Sequence, residues 1–200
     1  MNKLLLQGLG FGLLGFGVNA FPLVTPYGPH YIFGGIFPLV AALLWGWRTG
    51  VVAALIASSY TVLFWHHPLA TLVFTVEVAC CGMVVAFYRQ RGGLLSSLVI
   101  TNALFWLVLG MPLGWLLYGS ALALPADILR LALLKQAVNG VCNAALAEVM
   151  AYLLLPALAR RFGCSIPEQS WSSRDLLVTA VSGFTLLTTV IVLAITSRGL

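Results

Sequence analysis

The stretch DILRLALLKQAVNGVCNAALAEVMAYLLLPALARR, residues 127–161, decides how this chain can fold. It is apolar enough to cross a membrane, yet it carries a lysine and three amides. Lys135 and Asn139 are four residues apart, and Gln136, Asn139 and Asn143 follow i, i+3 and i+7, so each set lies on one side of a helix. Such side chains are costly in lipid and should face protein or a water-filled cavity. We interpret this helix as the wall of an intramembrane site.

The composition of the whole chain excludes an ordinary soluble domain. Of its 200 residues 61% are hydrophobic and 8% are charged, and the mean hydropathy is +1.04. A soluble domain carries roughly 25% charged residues. The net charge of +5 is small and dispersed, and the positive-inside bias of membrane proteins explains it better than nucleic-acid binding does. The expected partner is therefore the lipid bilayer, and no nucleic acid is expected.

The apolar segments predict an all-α, polytopic transmembrane helical bundle of about seven spans. A six-helix core is followed by a C-terminal seventh helix, with spans at about 3–21, 31–47, 50–65, 68–88, 94–118, 127–161 and 176–196. The predicted domains are a membrane bundle over 1–161, a cytoplasmic linker over 162–173 and the seventh helix over 174–200.

Two features refine this prediction. Gly8, Gly12 and Gly15 form a small-residue stripe suited to close helix packing. Pro112, between two glycines, predicts a kink near the outer end of the fifth segment. The first segment is also compatible with a cleaved signal peptide, because Val18, Asn19 and Ala20 end it like a cleavage site.

The positions of the basic residues predict the orientation. Lys and Arg near predicted inner turns outnumber those at the outer side by seven to two: Lys3, Arg48, Arg89, Arg91, Arg160, Arg161 and Arg174 against Arg130 and Arg198. This asymmetry places the N-terminus inside and the C-terminus outside. The expected location is the inner (cytoplasmic) membrane of a bacterium, crossed several times.

Polar residues of three segments fall at comparable depths. At about 1.5 Å of rise per residue, Glu77 and Lys135 each lie roughly 13 Å below the outer helix ends, so we expect a contact between them, direct or through water. Asn102 and Asn143 match at a deeper level. The predicted ligand-binding residues are Glu77, Asn102, Lys135, Gln136, Asn139 and Asn143. The alternative is that they only join helices by hydrogen bonds. Glu148 is expected at the membrane interface.

A second set of residues is predicted at the outer surface, at the mouth of the pocket. It comprises His30, His66, His67, Trp115 and Tyr118. Its histidines suggest a gate, a pH sensor or a metal site. The alternative is that these histidines lie at helix ends and that the aromatic residues are interfacial anchors.

Catalysis is not expected. The sequence has no nucleophile elbow, no HExxH, no P-loop and no paired carboxylates at glycosidase-like spacing. The four cysteines have no CxxC spacing and no nearby ligand histidine, so we expect neither a metal nor a cofactor.

Four stretches resemble the N-terminal multi-helix membrane module of certain bacterial histidine kinases and diguanylate cyclases. They are PHYIFGGIFPLVAALLWGWRTGVVAALIASSYT (29–61), HHPLATLVFTVE (66–77), LGMPLGWLLYG (109–119) and LKQAVNGVCNAALAEV (134–149). The resemblance covers about residues 28–160 and includes Glu77 and the polar residues of the long helix. It implies a sensory module coupled to a downstream kinase or cyclase domain or to a homodimer partner.

The six-helix arrangement is also similar, more loosely, to the substrate-binding (S) subunits of energy-coupling-factor vitamin transporters. That resemblance implies an outward-facing pocket for a small molecule. The expected function is therefore a membrane sensory module for signal transduction, which binds an unknown small ligand or senses ionisation. A solute-binding transporter subunit and a purely structural anchor are the alternatives.

Overall fold

The structure, a computed structural model, describes residues 3–24, 30–89, 91, 94–162 and 181. Seven α-helices account for most of them: α1 Lys3–Asn19, α2 Ile36–Trp45, α3 Trp47–Trp65, α4 Leu69–Arg89, α5 Leu98–Phe105, α6 Met111–Leu122 and α7 Ala126–Phe162. A 3₁₀ turn, Leu94–Ser96, precedes α5. Two short antiparallel strands, β1 Leu23–Val24 and β2 His30–Tyr31, pair between α1 and α2 with Leu23 opposite Tyr31.

Four of the described helical stretches are long and apolar enough to cross a membrane. They are Trp47–Trp65, Leu69–Arg89, Leu98–Leu122 and Ala126–Leu154. The prediction of an all-α, multi-pass membrane bundle is confirmed at this level, but the count of seven spans is not supported. Helices α1 and α2 have 17 and 10 residues. The predicted linker and seventh span fall almost entirely outside the described residues.

Helix α1 packs along α3 through its glycines, as the small-residue stripe predicts. Gly8, Gly12 and Gly15 are buried, and a Cβ at Gly8 would approach the Cβ of Val52 to 2.8 Å. Only a residue without a side chain allows this separation of the two backbones, so the stripe fixes α1 against α3.

The second predicted span, 31–47, is wrong in its first part. Residues 30 and 31 are in β2, and the helix begins only at Ile36. The segment between them lies outside the helix, and the N–H groups of Ile32 and Gly34 take partners from α7 and α1, as described below. Helix α2 is consequently ten residues long and is mostly buried, with Leu39 and Val40 in the core.

The helix that runs from α5 into α6 is interrupted by a π-helical turn, Trp106–Gly110. In this turn the N–H of Met111 donates to the carbonyl of Trp106. This irregular turn lies just before Pro112, and the kink at Pro112 stays a prediction. Pro112 occupies the first turn of α6, where its missing N–H costs least. Such π-helical turns occur often at functional sites.

Helices α2, α4, α5 and α7 surround the interior of the bundle. Their buried apolar residues include Val73, Leu98 and Trp106. The long helix α7 packs against both α2 and α5, and its polar face points into this interior, as Asn139 and Asn143 show by being buried.

Candidate functional site

An open pocket of about 430 Å³ lies between the α3–α4 connection, α6 and α7. Its polar and aromatic lining comes from six residues, and the remaining lining residues are aliphatic. The six are His30, Trp65, His67, Tyr118, Lys135 and Gln136. We call this the mouth pocket. Its volume is within the range of small-molecule sites, about 300–1,000 Å³.

Lys135 supplies the positive charge of the mouth pocket. Its side chain is 9% exposed, and its Nζ lies 4.8 Å from the centroid of the Trp65 ring. Among the described residues no carboxylate comes within 4.0 Å of this ammonium group. The ring face attracts the cation, but the three N–H donors are left for another partner.

A row of aromatic rings continues from Trp65 across the mouth pocket. The His67 ring is stacked with Trp65 at a centroid distance of 6.4 Å and lies 5.9 Å from the Tyr118 ring. Tyr118 is held from α7, since Gln136 Nε2 donates to its hydroxyl at 3.0 Å. Burial lowers the pKa of His67, partly offset by a hydrogen bond to its own backbone. A neutral His67 adds no charge to that of Lys135.

The predicted direct contact between Glu77 and Lys135 is wrong. Glu77 lies in the interior, where its Oε1 accepts hydrogen bonds from Asn102 Nδ2 at 2.7 Å and from Trp106 Nε1 at 3.1 Å. Asn102 therefore lies at the level of Glu77 rather than below it. Lys135 faces Trp65 and the mouth pocket instead. The acid and the base belong to two separate polar groups.

Asn139 and Asn143 hold the backbone of the segment that follows β2. Asn139 accepts a hydrogen bond from the N–H of Ile32 at 3.0 Å and donates to its carbonyl at 2.9 Å. Asn143 donates to the same carbonyl at 3.2 Å. Both the oxygen and the nitrogen of the Asn139 amide thus join α7 to this segment. This is the inter-segment bonding that the sequence left as an alternative.

The remaining predicted residues lie either in the mouth pocket or outside it. His30, His67 and Tyr118 line the mouth pocket together with Lys135 and Gln136. His66 is exposed and ends α3 in the left-handed conformation with φ 59°. Trp115 lines a different, apolar groove of about 510 Å³ between α6 and α7. Neither of these two lines the mouth pocket.

Four residues with clear roles escaped the sequence analysis. Trp65, which was not among the predicted site residues, carries Lys135 on its face. Trp106 donates to Glu77. Asn19, interpreted as part of a cleavage signal, accepts from the N–H of Gly34 at 2.7 Å and donates to the carbonyl of Ala57 at 2.9 Å. Glu148 was placed at the interface but is 1% exposed. The roles of these residues depend on which helix faces are buried, and the sequence does not show this.

Comparisons with known proteins bear on the fold. No protein-family model and no curated protein sequence matches this chain. A solved structure described as the S component of a bacterial ECF transporter is similar, with a TM-score of 0.55 and 18% sequence identity. The match covers 82% of this chain and 99% of that one. At this identity the likeness shows a shared fold, in agreement with the looser of the two sequence resemblances.

Proposed function

We propose that this membrane protein binds a small solute in the mouth pocket, and that the solute carries an anionic group beside a flat apolar part. The observation that carries the proposal is the position of Lys135. A nearly buried ammonium rests on an indole ring in a pocket of ligand size, without a carboxylate among the described residues within 4.0 Å. A bound carboxylate or phosphate would complete the hydrogen bonding of this lysine.

The aromatic row defines the second half of the proposed ligand. The rings of Trp65, His67 and Tyr118 offer apolar faces and edges near the ammonium group. A flat ligand that stacks on these rings keeps its anionic group within reach of Lys135 and of Gln136. No carboxylate, serine or cysteine is among the described residues that line the pocket, and we propose binding without catalysis.

The test is a thermal-shift screen of the purified protein against small anions that differ in one property at a time. Aromatic carboxylates and phosphates are expected to raise the unfolding temperature, whereas aliphatic anions of equal charge and uncharged aromatic analogues raise it less. Lys135→Met is expected to abolish the shift. Arg130→Gln is the matched control, because it removes an exposed cation of the same helix that does not line the mouth pocket. A shift that survives in Lys135→Met refutes the proposal.

Two biological roles are proposed for a protein with such a solute-binding site, and a different observation supports each. The shared fold supports a solute-binding transporter subunit, since the similar structure is described as the S component of an ECF transporter. The sequence resemblance to histidine kinases and diguanylate cyclases supports a sensory module. Mild solubilisation of native membranes distinguishes them. A transporter subunit is expected to co-purify with a permease and an ATPase, and a sensor with a signalling enzyme or with a second copy of itself.

The distribution of Lys and Arg supports a mouth pocket that opens to the outside of a bacterial inner membrane. The exposed His66 offers a test beside the pocket. A cysteine introduced there in a cysteine-free background should react with a membrane-impermeant maleimide in intact spheroplasts. Labelling only after lysis would reverse the orientation.

A further inference from the structure

A small cavity in the bundle interior shares no lining residue with the mouth pocket. Its volume is about 20 Å³, which is room for one water molecule or one small ion. Five oxygen-bearing side chains line its wall. The oxygens of Asn19 and Asn139 already accept from backbone N–H groups. The other three side chains are those of Ser58 on α3, Glu77 on α4 and Asn143 on α7. All three residues are buried.

Each of these three side chains has an oxygen that can still accept a hydrogen bond or bind a cation. The two hydrogen bonds to Glu77 both reach Oε1, so Oε2 receives none from the described residues. The Oδ1 of Asn143 is buried without a hydrogen-bond partner. The Asn143 amide cannot be reversed to cure this, because its Nδ2 donates to the carbonyl of Ile32. Ser58 donates its hydroxyl proton to the carbonyl of Ala54, so its oxygen is left as an acceptor.

The same site lacks a positive charge. Glu77 is 5% exposed, and no Lys, Arg or His of the described residues lies within 4.0 Å of its carboxylate. Its two partners, Asn102 and Trp106, are neutral donors. A buried carboxylate of this kind is stable only when it is neutralised or balanced by a cation.

We propose that the interior cavity binds one Na⁺ ion, held by the carboxylate of Glu77, the amide oxygen of Asn143 and the hydroxyl oxygen of Ser58. Carboxylate, amide and hydroxyl oxygens are ligands for hard cations. With a single carboxylate, a monovalent ion makes the site neutral, whereas a divalent ion would leave a net positive charge in the bilayer. The spacing of cysteines and histidines in the sequence predicted no metal, but it carries no information on an oxygen-ligand site of this kind.

Binding of this ion would connect α3 and α7 to α4, a helix that does not line the mouth pocket. Helices α3, α4 and α7 each give one ligand, so the ion should stabilise the whole bundle and not a single loop. Na⁺ binding in the interior cavity does not depend on whether the mouth pocket binds an anion.

The experiment measures unfolding of the purified protein in detergent by tryptophan fluorescence, in NaCl or in choline chloride at constant ionic strength. We expect a saturable rise of the unfolding temperature, on the order of 5 °C at Na⁺ concentrations a hundredfold above Kd, and no rise with choline. Equilibrium dialysis with radioactive Na⁺ should give one ion per chain.

Two variants give the test its specificity. Glu77→Gln should lose the Na⁺ shift, whereas Glu148→Gln, which changes another buried carboxylate of the bundle, should keep it. If Glu77→Gln does not fold, Ser58→Ala keeps the carboxylate and should raise the half-saturating Na⁺ concentration about tenfold. An equal shift in choline chloride, or a Na⁺ shift retained in Glu77→Gln, overturns the proposal. Stability that responds to pH but not to Na⁺ also overturns it, in favour of a protonated Glu77 beside a water molecule.

Discussion

Asn139 on α7 pairs with Ile32 as one strand pairs with another, although 107 residues separate them. Its amide accepts from the N–H of Ile32 and donates to the carbonyl of the same residue. The segment after β2 can therefore lie between helices without secondary structure of its own, because its buried backbone groups are satisfied. Asn19 does the same from α1 for the N–H of Gly34.

Asn139→Ala is expected to destabilise the protein by about 3 kcal/mol, because it leaves the buried N–H of Ile32 without a partner. The control is Asn143→Ala, expected to cost only about 1 kcal/mol, since Asn139 still bonds the carbonyl of Ile32. Denaturant unfolding in mixed micelles measures both. Equal costs for the two variants would contradict the paired geometry.

The positions of the long helices were predictable, and the segment before α2 was not. Hydropathy and turn residues gave the fourth span as 68–88 and the long helix as 127–161, close to Leu69–Arg89 and Ala126–Phe162. The same signal extended the second span over residues 31–35, which are equally apolar. The pair Gly34-Gly35 is the local signal against a helix here. The partners that hold the segment, Asn19 and Asn139, are distant in sequence and could not be predicted.

Gly140→Ala is expected to destabilise the protein by more than about 2 kcal/mol. A Cβ at this position would come within 2.2 Å of Trp106 Nε1 and 2.6 Å of Glu77 Oε1, so α7 would have to move from α4 and α5. Gly10→Ala on α1 is the matched control. Its Cβ would meet no atom within 4 Å, and the exchange should be neutral or stabilising by up to about 1 kcal/mol. Thermal unfolding of both variants checks the difference, and a neutral Gly140→Ala would refute this close packing.

The error about Glu77 and Lys135 has a geometric cause. Counting residues from each helix end assumes that neighbouring helices begin at one level and run parallel, and it gives no direction around the helix axis. The bond between Asn102 and Glu77 shows that the assumption fails for α4 and α5. The sequence was enough to predict which polar residues share one face of α7. Which neighbours they meet depends on helix tilt and on the π-helical turn at Trp106, which periodicity does not reveal.

Glu148→Ala is expected to cost about 2–3 kcal/mol. From α7, Glu148 Oε1 accepts from the N–H of Leu98 at 3.2 Å and Oε2 accepts from the Ser97 hydroxyl at 3.3 Å, so its charge lies at the N-terminus of α5. Glu148→Gln keeps an acceptor and should cost less. Asp127→Ala removes an exposed carboxylate from the first turn of the same helix and is expected to stay within about 0.5 kcal/mol of the parent. A Glu148→Ala variant as stable as Asp127→Ala would exclude a capping role.

The pKa of His67 makes the mouth pocket sensitive to mild acid. Burial lowers this pKa below the ordinary value of 6.5, so between the two values the unfolded chain binds more protons than the folded one. The contribution of His67 to stability is therefore complete above about pH 6.5 and is lost as the pH falls through that window toward the native pKa. Lys135 lines the same pocket, and a second positive charge there would add to the cost.

The expected result is a lower unfolding temperature at pH 5.5 than at pH 7.5, and His67→Gln should reduce this difference. His66→Asn is the control, because it removes the adjacent exposed histidine while asparagine tolerates the left-handed backbone at that position. It should keep the full pH dependence.

A charged His67 would also repel the ammonium of Lys135. The stabilisation of the protein by small anions should therefore change with pH in the parent and in His66→Asn, and change less in His67→Gln. A pH response that follows His66 instead would place the sensitive group outside the mouth pocket.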